Sequence, residues 1–275
     1  MAIKLMYIAN EPNIAHIAEK NGVDRIFVDL EVRNKAKRQK NIDSVKSHHC
    51  LDDINKIKDT LTTAELLVRS NAMYEGSQKE INEIVSRGAD IVMLPMWESV
   101  DDAKRFRDYI DGRAKVMLLL ETIPAEKSLD EVLELDGIDE ILIGLNDLHL
   151  QYKLKFLFEL LANGKIDELM NKMVAKGLPC GFGGIARLDK GMISGRNILA
   201  EHYRLHSSMA ILSRSFCDTS KIKNEDEIEN IFHQGIIDIR DFEESLTKQN
   251  EEYFELNHQE VIRKTNEIID IISKK

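Results

Sequence analysis

Short, continuous apolar runs recur along the chain at regular intervals. Their central residues Leu67, Val92, Met117 and Leu142 follow one another at intervals of 25 residues. This interval accommodates a strand, a helix and the two loops that join them, and it predicts a βα repeat. Continuous apolar runs are typical of strands covered on both faces, as in a parallel sheet enclosed by helices. The runs are Arg25–Asp29, Leu66–Arg69, Ile91–Leu94, Val116–Leu120, Ile141–Ile143 and Met209–Leu212.

A first strand near Lys4–Ile8 and a seventh near Cys180–Ile185 complete a set of eight. A TIM barrel of about 250 residues accommodates this number of strands. An open doubly wound sheet is the alternative, but it usually has a glycine-rich turn after its first strand. Ala9-Asn10-Glu11-Pro12 stands there instead. We therefore predict an α/β fold, a (β/α)8 TIM barrel with an extra C-terminal helix.

No Ser/Gly-rich linker interrupts the chain, so residues 1–275 are predicted to form a single (β/α)8 barrel domain. Residues 222–275 are predicted to be a C-terminal helical segment, with helices over Asp226–Leu246 and Asn250–Ile272. We expect these helices to pack on the barrel as its eighth helix and an added one. Packing on a neighbouring subunit, in a homo-oligomer, is the alternative.

Composition narrows the partners of the protein. The 38 basic and 48 acidic side chains give a formal charge of −10, which disfavours nucleic-acid or anionic-membrane binding. No apolar stretch approaches the roughly 18 residues of a membrane helix, and Met1-Ala2-Ile3-Lys4-Leu5 lacks the pattern of a secretory signal. A cytoplasmic location is therefore predicted. The 3 cysteines indicate neither a disulfide framework nor a thiolate zinc site.

Polar residues close most of the predicted strands at their carboxyl ends. These ends converge on one rim of a TIM barrel, where its active site is assembled. Seven such ends favour a functional site over unrelated surface residues. The candidates are Asp29, Glu31, Arg69, Glu98, Glu121, Asn146, Asp147, Gly183, Gly184 and Arg214.

Glu121 and Asp147 are the most informative pair, because two carboxylates on neighbouring strands repel each other unless a cation lies between them. Oxygen-only ligation favours a hard cation, Mg²⁺ or Mn²⁺, with positions left for water and substrate oxygens. Both residues are therefore candidate metal ligands. Either carboxylate could instead cap the helix that follows it.

Arg69 is the natural cationic partner at this rim. A guanidinium at the end of a buried strand needs an anion, and its geometry suits a substrate carboxylate or a developing enolate. A structural salt bridge to Asp29 or Glu31 is the alternative.

Five short motifs follow one another at the spacing of barrel strands. They are Asp29-Leu30-Glu31, Leu67-Val68-Arg69-Ser70-Asn71, Gly88-Ala89-Asp90-Ile91-Val92-Met93-Leu94-Pro95, Leu120-Glu121-Thr122 and Gly144-Leu145-Asn146-Asp147-Leu148. In this order they resemble the HpcH/HpaI aldolase and citrate lyase beta-subunit family, over roughly residues 25–150. The resemblance implies a Mg²⁺-dependent barrel that makes or breaks carbon–carbon bonds next to a pyruvate-like or acyl-thioester enolate. It also implies that Glu121 and Asp147 bind the metal and that Arg69 contacts the enolate oxygen or the carboxylate of the substrate.

Two positions depart from the family pattern. Val32 stands where the aldolase branch has a proton-transferring histidine and the lyase-like branch an aspartate. Met96, in Pro95-Met96-Trp97-Glu98-Ser99, replaces the lysine that is common in the lyase-like branch. The usual base and the handling of acyl-CoA are therefore the open questions of the mechanism.

A base must still take or give the hydroxyl proton of the substrate. The candidates are a water on the metal, which we rank first, Glu31, His149 and His16. The predicted catalytic set is Arg69, Glu31, Asp29 and His149. The predicted substrate contacts are Arg69, Glu98, Asn146, Gly183, Gly184 and Arg214.

Two further features lie between the second and third strands. Arg33, Lys35, Lys37, Arg38 and Lys40 form a basic loop over residues 33–40, which could fold over an anionic substrate or remain a solvated loop. His48-His49-Cys50 could suggest a soft-metal site, but adjacent helical residues point apart and no second cluster completes the ligand shell. We interpret this tripeptide as structural.

Three functions follow from these observations. The leading hypothesis is a Mg²⁺-dependent carbon–carbon lyase acting on a 2-oxo acid, in the forward or the reverse direction. The second is an acyl-CoA lyase or thioesterase that acts on an acyl thioester. The third, suggested by Val32, is a catalytically silent barrel that binds metal and ligand.

Overall fold

Eight parallel strands close into a barrel in which each strand pairs with its neighbours in chain order and β8 pairs with β1. The computed structural model describes residues 2–32 and 49–274. It confirms the predicted TIM barrel. The strands are β1 Lys4–Ile8, β2 Arg25–Asp29, β3 Glu65–Arg69, β4 Ile91–Leu94, β5 Lys115–Leu120, β6 Glu140–Ile143, β7 Cys180–Ile185 and β8 Met209–Leu212.

Helices cover the outside of the barrel and follow the strands. Within the described residues they are α1 Pro12–Lys20, α2 Leu51–Lys58, α3 Ser77–Ser86, α4 Val100–Ile110, α5 Ile123–Val132, α6 Leu145–Gln151, α7 Glu159–Ala162, α8 Lys165–Ala175, α9 Gly195–Arg204, α10 Glu225–Leu246 and α11 Glu251–Ser273.

Successive residues of each strand face alternately toward the helices and into the barrel. On β3, for example, Leu66 and Val68 belong to the outer core under the helices, whereas Leu67 belongs to the inner core. The strands therefore read as continuous apolar runs, because both of their faces are buried. The inner core consists of Met6, Phe27, Leu67, Ile91, Met93, Met117, Leu119, Leu142 and Met209.

Three strands begin one residue earlier than their apolar runs, at Glu65, Lys115 and Glu140. Two of them, Glu65 and Glu140, bind Arg25, which is completely buried at the amino-terminal end of the barrel. The Arg25 guanidinium donates to the Glu140 carboxylate at 2.5 and 2.6 Å and to Glu65 at 2.9 Å. Glu65 also pairs with Lys115. Ion pairs thus close this end of the barrel, and an apolar pattern alone does not include them in the strands.

β7 is irregular where it pairs with β8. The strand spans Cys180–Ile185, the range expected from the sequence, but its register shifts between Gly181 and Gly184. Gly183 has a φ of 46°, in the left-handed region that favours glycine. A Cβ atom at Gly181 would meet the Met209 carbonyl oxygen at 2.1 Å. The glycines therefore allow a distorted strand to approach β8 closely.

The C-terminal helices pack on the barrel of the same chain. α10 contacts α1, while α11 contacts α7 and α9. The contact between α9 and α11 contains the completely buried Glu201, whose carboxylate accepts from Asn257 Nδ2 and His258 Nδ1, each at 2.8 Å. That residues 1–275 form one domain, and that the protein is a homo-oligomer, stay predictions.

The buried ion pair at the amino-terminal end makes Arg25 a test of the barrel's stability. We expect Arg25→Ala to lower the free energy of unfolding by about 3–5 kcal/mol, because it leaves Glu140 buried without its guanidinium partner. Lys115→Ala, which removes a half-exposed partner of Glu65, should cost about 0–1 kcal/mol. Urea denaturation of both variants measures the difference. Equal losses of unfolding free energy in the two variants would show that the buried ion pair contributes no more to stability than the half-exposed one.

His202 on α9 is a completely buried histidine outside the barrel. Its ring stacks on Phe182 of β7, with the ring centroids 3.9 Å apart and the planes 2° from parallel. Nδ1 lies 2.9 Å from the Ser207 hydroxyl. Burial lowers the pKa of His202 to about 3, from an ordinary value near 6.5. The imidazole is therefore neutral in the folded protein at neutral pH.

This shift predicts a loss of stability in acid. Between pH 6.5 and about 3, His202 is protonated in the unfolded chain but not in the folded protein. The contribution is complete above pH 6.5 and is lost as the pH falls, with a slope of up to about 1.4 kcal/mol per pH unit. We expect His202→Gln to flatten the acid side of the stability curve, measured by urea denaturation at successive pH values. The exposed His206→Gln should leave the slope unchanged.

Candidate active site

Asp29 and Arg69 form an ion pair at the carboxyl-terminal rim of the barrel. They are the last residues of β2 and β3 and stand opposite each other in the register. Arg69 Nε donates to Asp29 Oδ1 at 2.9 Å and Nη2 donates to Oδ2 at 2.8 Å. Glu31 lies 3.5 Å from the same Nη2. Both acids that were possible salt-bridge partners from the sequence are thus beside the guanidinium.

The Arg69 guanidinium lies on top of the inner core, 5.5 Å from the centre of the Phe27 ring. Its side chain is 13% exposed. Burial by itself lowers the pKa of Arg69, but the charges of Asp29, Glu31 and Glu121 outweigh burial and raise it well above its usual value. The group is therefore a permanent cation. Because Asp29 occupies Nε and Nη2, the nitrogen Nη1 remains for a further acceptor, and no described residue takes it.

Glu121 follows β5 and is buried at the same rim, at 3% exposure. The Met96 amide donates to Glu121 Oε1 at 3.1 Å. Met96 has a φ of 52°, in a left-handed conformation that side chains rarely adopt. The next carbonyl group, that of Trp97, accepts from the Thr122 hydroxyl at 2.7 Å. The loop after β4 thus holds the end of β5 through two hydrogen bonds.

Asp147 is buried in the first turn of α6, directly after β6. The helices that follow the two acids do not depend on them for their caps. α5 begins at the cap residue Thr122, whose hydroxyl accepts from the Ala125 amide, and α6 begins after Gly144. Capping, the structural alternative for Glu121 and Asp147, therefore does not account for Glu121 and does not place Asp147 at the cap position.

Gly144 gives the Glu121 carboxylate its space. A Cβ atom at this position would lie 2.7 Å from Glu121 Oε2 and 2.8 Å from Glu121 Cβ. The Gly144 amide donates to the Leu120 carbonyl at 2.9 Å, so the two strand ends are tightly joined. Only glycine fits between them without displacing the acid.

The donor set suits a hard divalent cation. Two buried carboxylates, Glu121 and Asp147, follow adjacent strands at one rim, and oxygen ligands of this kind are those that Mg²⁺ and Mn²⁺ prefer. Within residues 2–32 and 49–274, no group of three or more His, Cys, Asp or Glu side chains is arranged to hold a metal ion.

The other predicted residues differ in their surroundings. His149 is buried on α6, and its Nδ1 lies 3.0 Å from the Leu145 carbonyl oxygen, which leaves Nε2 for proton exchange. Glu98, Asn146 and Arg214 follow β4, β6 and β8 and are exposed. Gly183 and Gly184 lie within the irregular part of β7. All remain predictions as substrate or catalytic residues.

His16 is exposed on α1 and acts electrostatically on Glu229 of α10, so it belongs to the outer helix layer and not to the rim. The basic loop 33–40 and His48 lie outside the described residues. His49, in contrast, is buried beside β2, and its Nδ1 accepts from the Asp29 amide at 2.8 Å. The sequence offered no signal for this contact, which joins residues 20 positions apart.

A groove of about 900 Å³ lies at the opposite, amino-terminal end of the barrel. Its lining includes Lys58 and Asp90, which are bonded to each other at 2.7 Å, and the paired Lys115 and Glu65. Because active sites of TIM barrels form at the carboxyl-terminal face, this groove does not compete with the rim as a candidate.

Comparisons with known proteins show the family and the fold of the chain. The model of the HpcH/HpaI aldolase/citrate lyase family matches residues 3–157. No curated protein is a significant match to the sequence. None of the described helices has the length and apolar character needed to cross a membrane.

Three solved structures illustrate the similarity in fold. An HpcH/HpaI aldolase from Desulfitobacterium hafniense DCB-2 has a TM-score of 0.60 and 14% identity, over 77% of this chain and 86% of that one. An HpcH/HpaI aldolase/citrate lyase family protein from Burkholderia cenocepacia J2315 has a TM-score of 0.61 and 13% identity, over 79% and 91%. The citrate synthase SbnG has a TM-score of 0.60 and 12% identity, over 78% and 87%.

The contact at Gly144 predicts a specific effect on cation binding. We expect Gly144→Ala to fold and to bind Mg²⁺ or Mn²⁺ at least about tenfold more weakly, because the added methyl group displaces the Glu121 carboxylate. Isothermal titration calorimetry measures the affinity. Gly112→Ala is the control: its φ of 65° makes the substitution strained, but a Cβ atom there meets nothing within 4 Å. Unchanged cation affinity in Gly144→Ala would remove Glu121 from the ligand set.

Proposed function

Because the chain belongs to the HpcH/HpaI aldolase/citrate lyase family, we propose that it is a Mg²⁺-dependent carbon–carbon lyase acting on a 2-oxo acid. It forms or cleaves a bond next to a pyruvate-like enolate. A carbon–carbon lyase is what the family and the similar structures have in common. The observation that carries the proposal is the Arg69 guanidinium, fixed by Asp29 along one edge with Nη1 remaining, at the rim where Glu121 and Asp147 are buried.

Glu121 and Asp147 would hold the metal ion. The family generally uses a divalent metal. When bound, Mg²⁺ or Mn²⁺ supplies a Lewis acid that polarises the carbonyl group of the substrate. The Met96 amide and the space at Gly144 orient the Glu121 carboxylate for this role.

Arg69 binds the anionic part of the substrate. Its Nη1 donates to the substrate carboxylate or to the enolate oxygen, and the permanent charge is worth more against the enolate than against the neutral ketone. Asp29 holds the guanidinium in place before substrate arrives, so little reorganisation is needed during the reaction. Asp29 is therefore the orienting group of this pair.

Proton transfer needs a group other than Val32, which is an exposed aliphatic side chain three residues after the end of β2. Glu31 is the acid beside the Arg69 guanidinium, and His149 offers Nε2 from α6. As from the sequence, we rank a water molecule first as the base, followed by Glu31 and His149.

The remaining parts of the proposal concern the setting of the enzyme. We propose a cytoplasmic, homo-oligomeric protein whose partner is a small 2-oxo acid, or an acyl thioester in the alternative activity. Its acidic surface repels nucleic acids and anionic membranes.

Deuterium exchange into pyruvate tests this function. In D₂O with Mg²⁺, we expect the methyl protons of pyruvate to exchange, because metal and Arg69 together stabilise the enolate. Glu121→Gln and Asp147→Asn should each lower the exchange rate at least about 100-fold. Proton NMR measures the methyl signal. Asp101→Asn, on an exposed side chain of α4, is the matched control and should exchange at the native rate.

The outcomes of this assay separate the three hypotheses. Exchange that depends on both acids supports the 2-oxo acid lyase. Hydrolysis of acetyl-CoA without exchange into pyruvate would instead favour the acyl-thioester activity. Binding of Mg²⁺ and pyruvate with neither reaction would indicate a silent barrel.

A further inference from the structure

The strongest unassigned feature is the contact between His49 and the end of β2. His49 precedes α2, and its side chain is buried at 9% exposure. Its Nδ1 accepts a hydrogen bond of 2.8 Å from the Asp29 amide. Asp29 is the residue whose carboxylate binds Arg69 through two hydrogen bonds. His49 thus contacts Asp29, the residue that binds the Arg69 guanidinium used in the proposed function.

The Asp29 amide needs this acceptor because the sheet does not supply one. On the β3 side, the Leu30 amide bonds to the Arg69 carbonyl at 3.0 Å, so the preceding amide points toward β1. β1 ends at Ile8, which stands opposite Phe27, two residues before Asp29. A buried amide without an acceptor destabilises the folded protein. The imidazole of His49 takes the place of the missing strand.

A second set of contacts holds His49 in position. The next amide, that of Cys50, donates to Asp53 Oδ2 at 2.9 Å and so caps α2. The Asp53 side chain also bonds to Asn10, just beyond the end of β1. The start of α2 is therefore attached to the same region of the rim that the His49 ring enters.

We propose that His49 is a positioning residue of the active site, which fixes the Asp29 backbone and thereby the Arg69 guanidinium. The inference rests on the proposed role of Arg69 in binding substrate. The Val32 amide donates to Asn71 Oδ1 at 3.0 Å, so Val32 and His49 are both bonded to residues of the rim.

The hydrogen bond also fixes the chemical form of the ring. A backbone N–H is always a donor, so Nδ1 must be the unprotonated nitrogen and the proton of the neutral ring must reside on Nε2. The nitrogen-15 shifts of imidazole distinguish the two tautomers. The proposal therefore has a spectroscopic signature that does not depend on activity.

Two substitutions separate the hydrogen bond from the volume of the ring. His49→Phe keeps a ring of similar size and removes the acceptor. His49→Asn loses the ring but keeps an acceptor, its side-chain oxygen, near the position of Nδ1. We expect His49→Phe to lower kcat/KM for pyruvate exchange about 10- to 100-fold, mainly through kcat, because Arg69 acts more strongly on the enolate. His49→Asn should recover most of this loss.

NMR of the Arg69 Nε–H group provides the test that is independent of turnover. In the native protein, its hydrogen bond to Asp29 should make this proton exchange slowly with water. We expect His49→Phe to accelerate the exchange and His49→Asn to retain the slow exchange, while calorimetry shows unchanged Mg²⁺ affinity in both variants.

Three results would overturn the proposal: a proton on Nδ1 in the native protein, equal kinetics of the Phe and Asn variants, or an Arg69 signal unaffected by His49→Phe. If the native protein exchanges no pyruvate protons, the proposed function fails, and the tautomer and the Arg69 signal still decide whether His49 positions the pair.

Discussion

The alternation of side chains along a strand is the constraint on which this structure depends. On β2, the residues Arg25, Phe27 and Asp29 all face into the barrel, and on β3 the residues Glu65, Leu67 and Arg69 do the same. Each strand therefore contributes charge at both ends of the interior and an apolar side chain between them. A shift of one residue in register would turn all six toward the helices.

The two charged ends serve different purposes. At the amino-terminal end, Arg25 is completely buried and binds both Glu140 and Glu65. These ion pairs neutralise its charge and close the barrel. At the carboxyl-terminal end, Asp29 engages only one edge of Arg69, and the rim is built from loops that can carry further polar groups. The same ion-pair chemistry thus closes one end of the barrel, and at the other end it orients Arg69 toward the anionic substrate that we propose.

The sequence alone was sufficient to predict the barrel and to identify the residues at the ends of its strands. Buried parallel strands have a repeating apolar pattern, and the carboxyl ends of such strands must meet at one rim. It was insufficient for contacts that depend on loop geometry. Three such features have no periodic signal in the sequence. They are the left-handed backbone of Met96, the irregularity of β7 and the contact of His49 with Asp29. The charged first residues of β3, β5 and β6 were missed because an apolar pattern does not include residues that take part in ion pairs.

The hydrogen bonds between the loop after β4 and the end of β5 have a consequence for how this scaffold can diverge. The Met96 amide and the Trp97 carbonyl engage Glu121 and Thr122, so these two segments form one mechanical unit. Transplanting either segment alone into a related barrel would separate a donor from its acceptor. Engineers who exchange loops on this rim would need to move both together, and natural substitutions in one should show epistasis with the other.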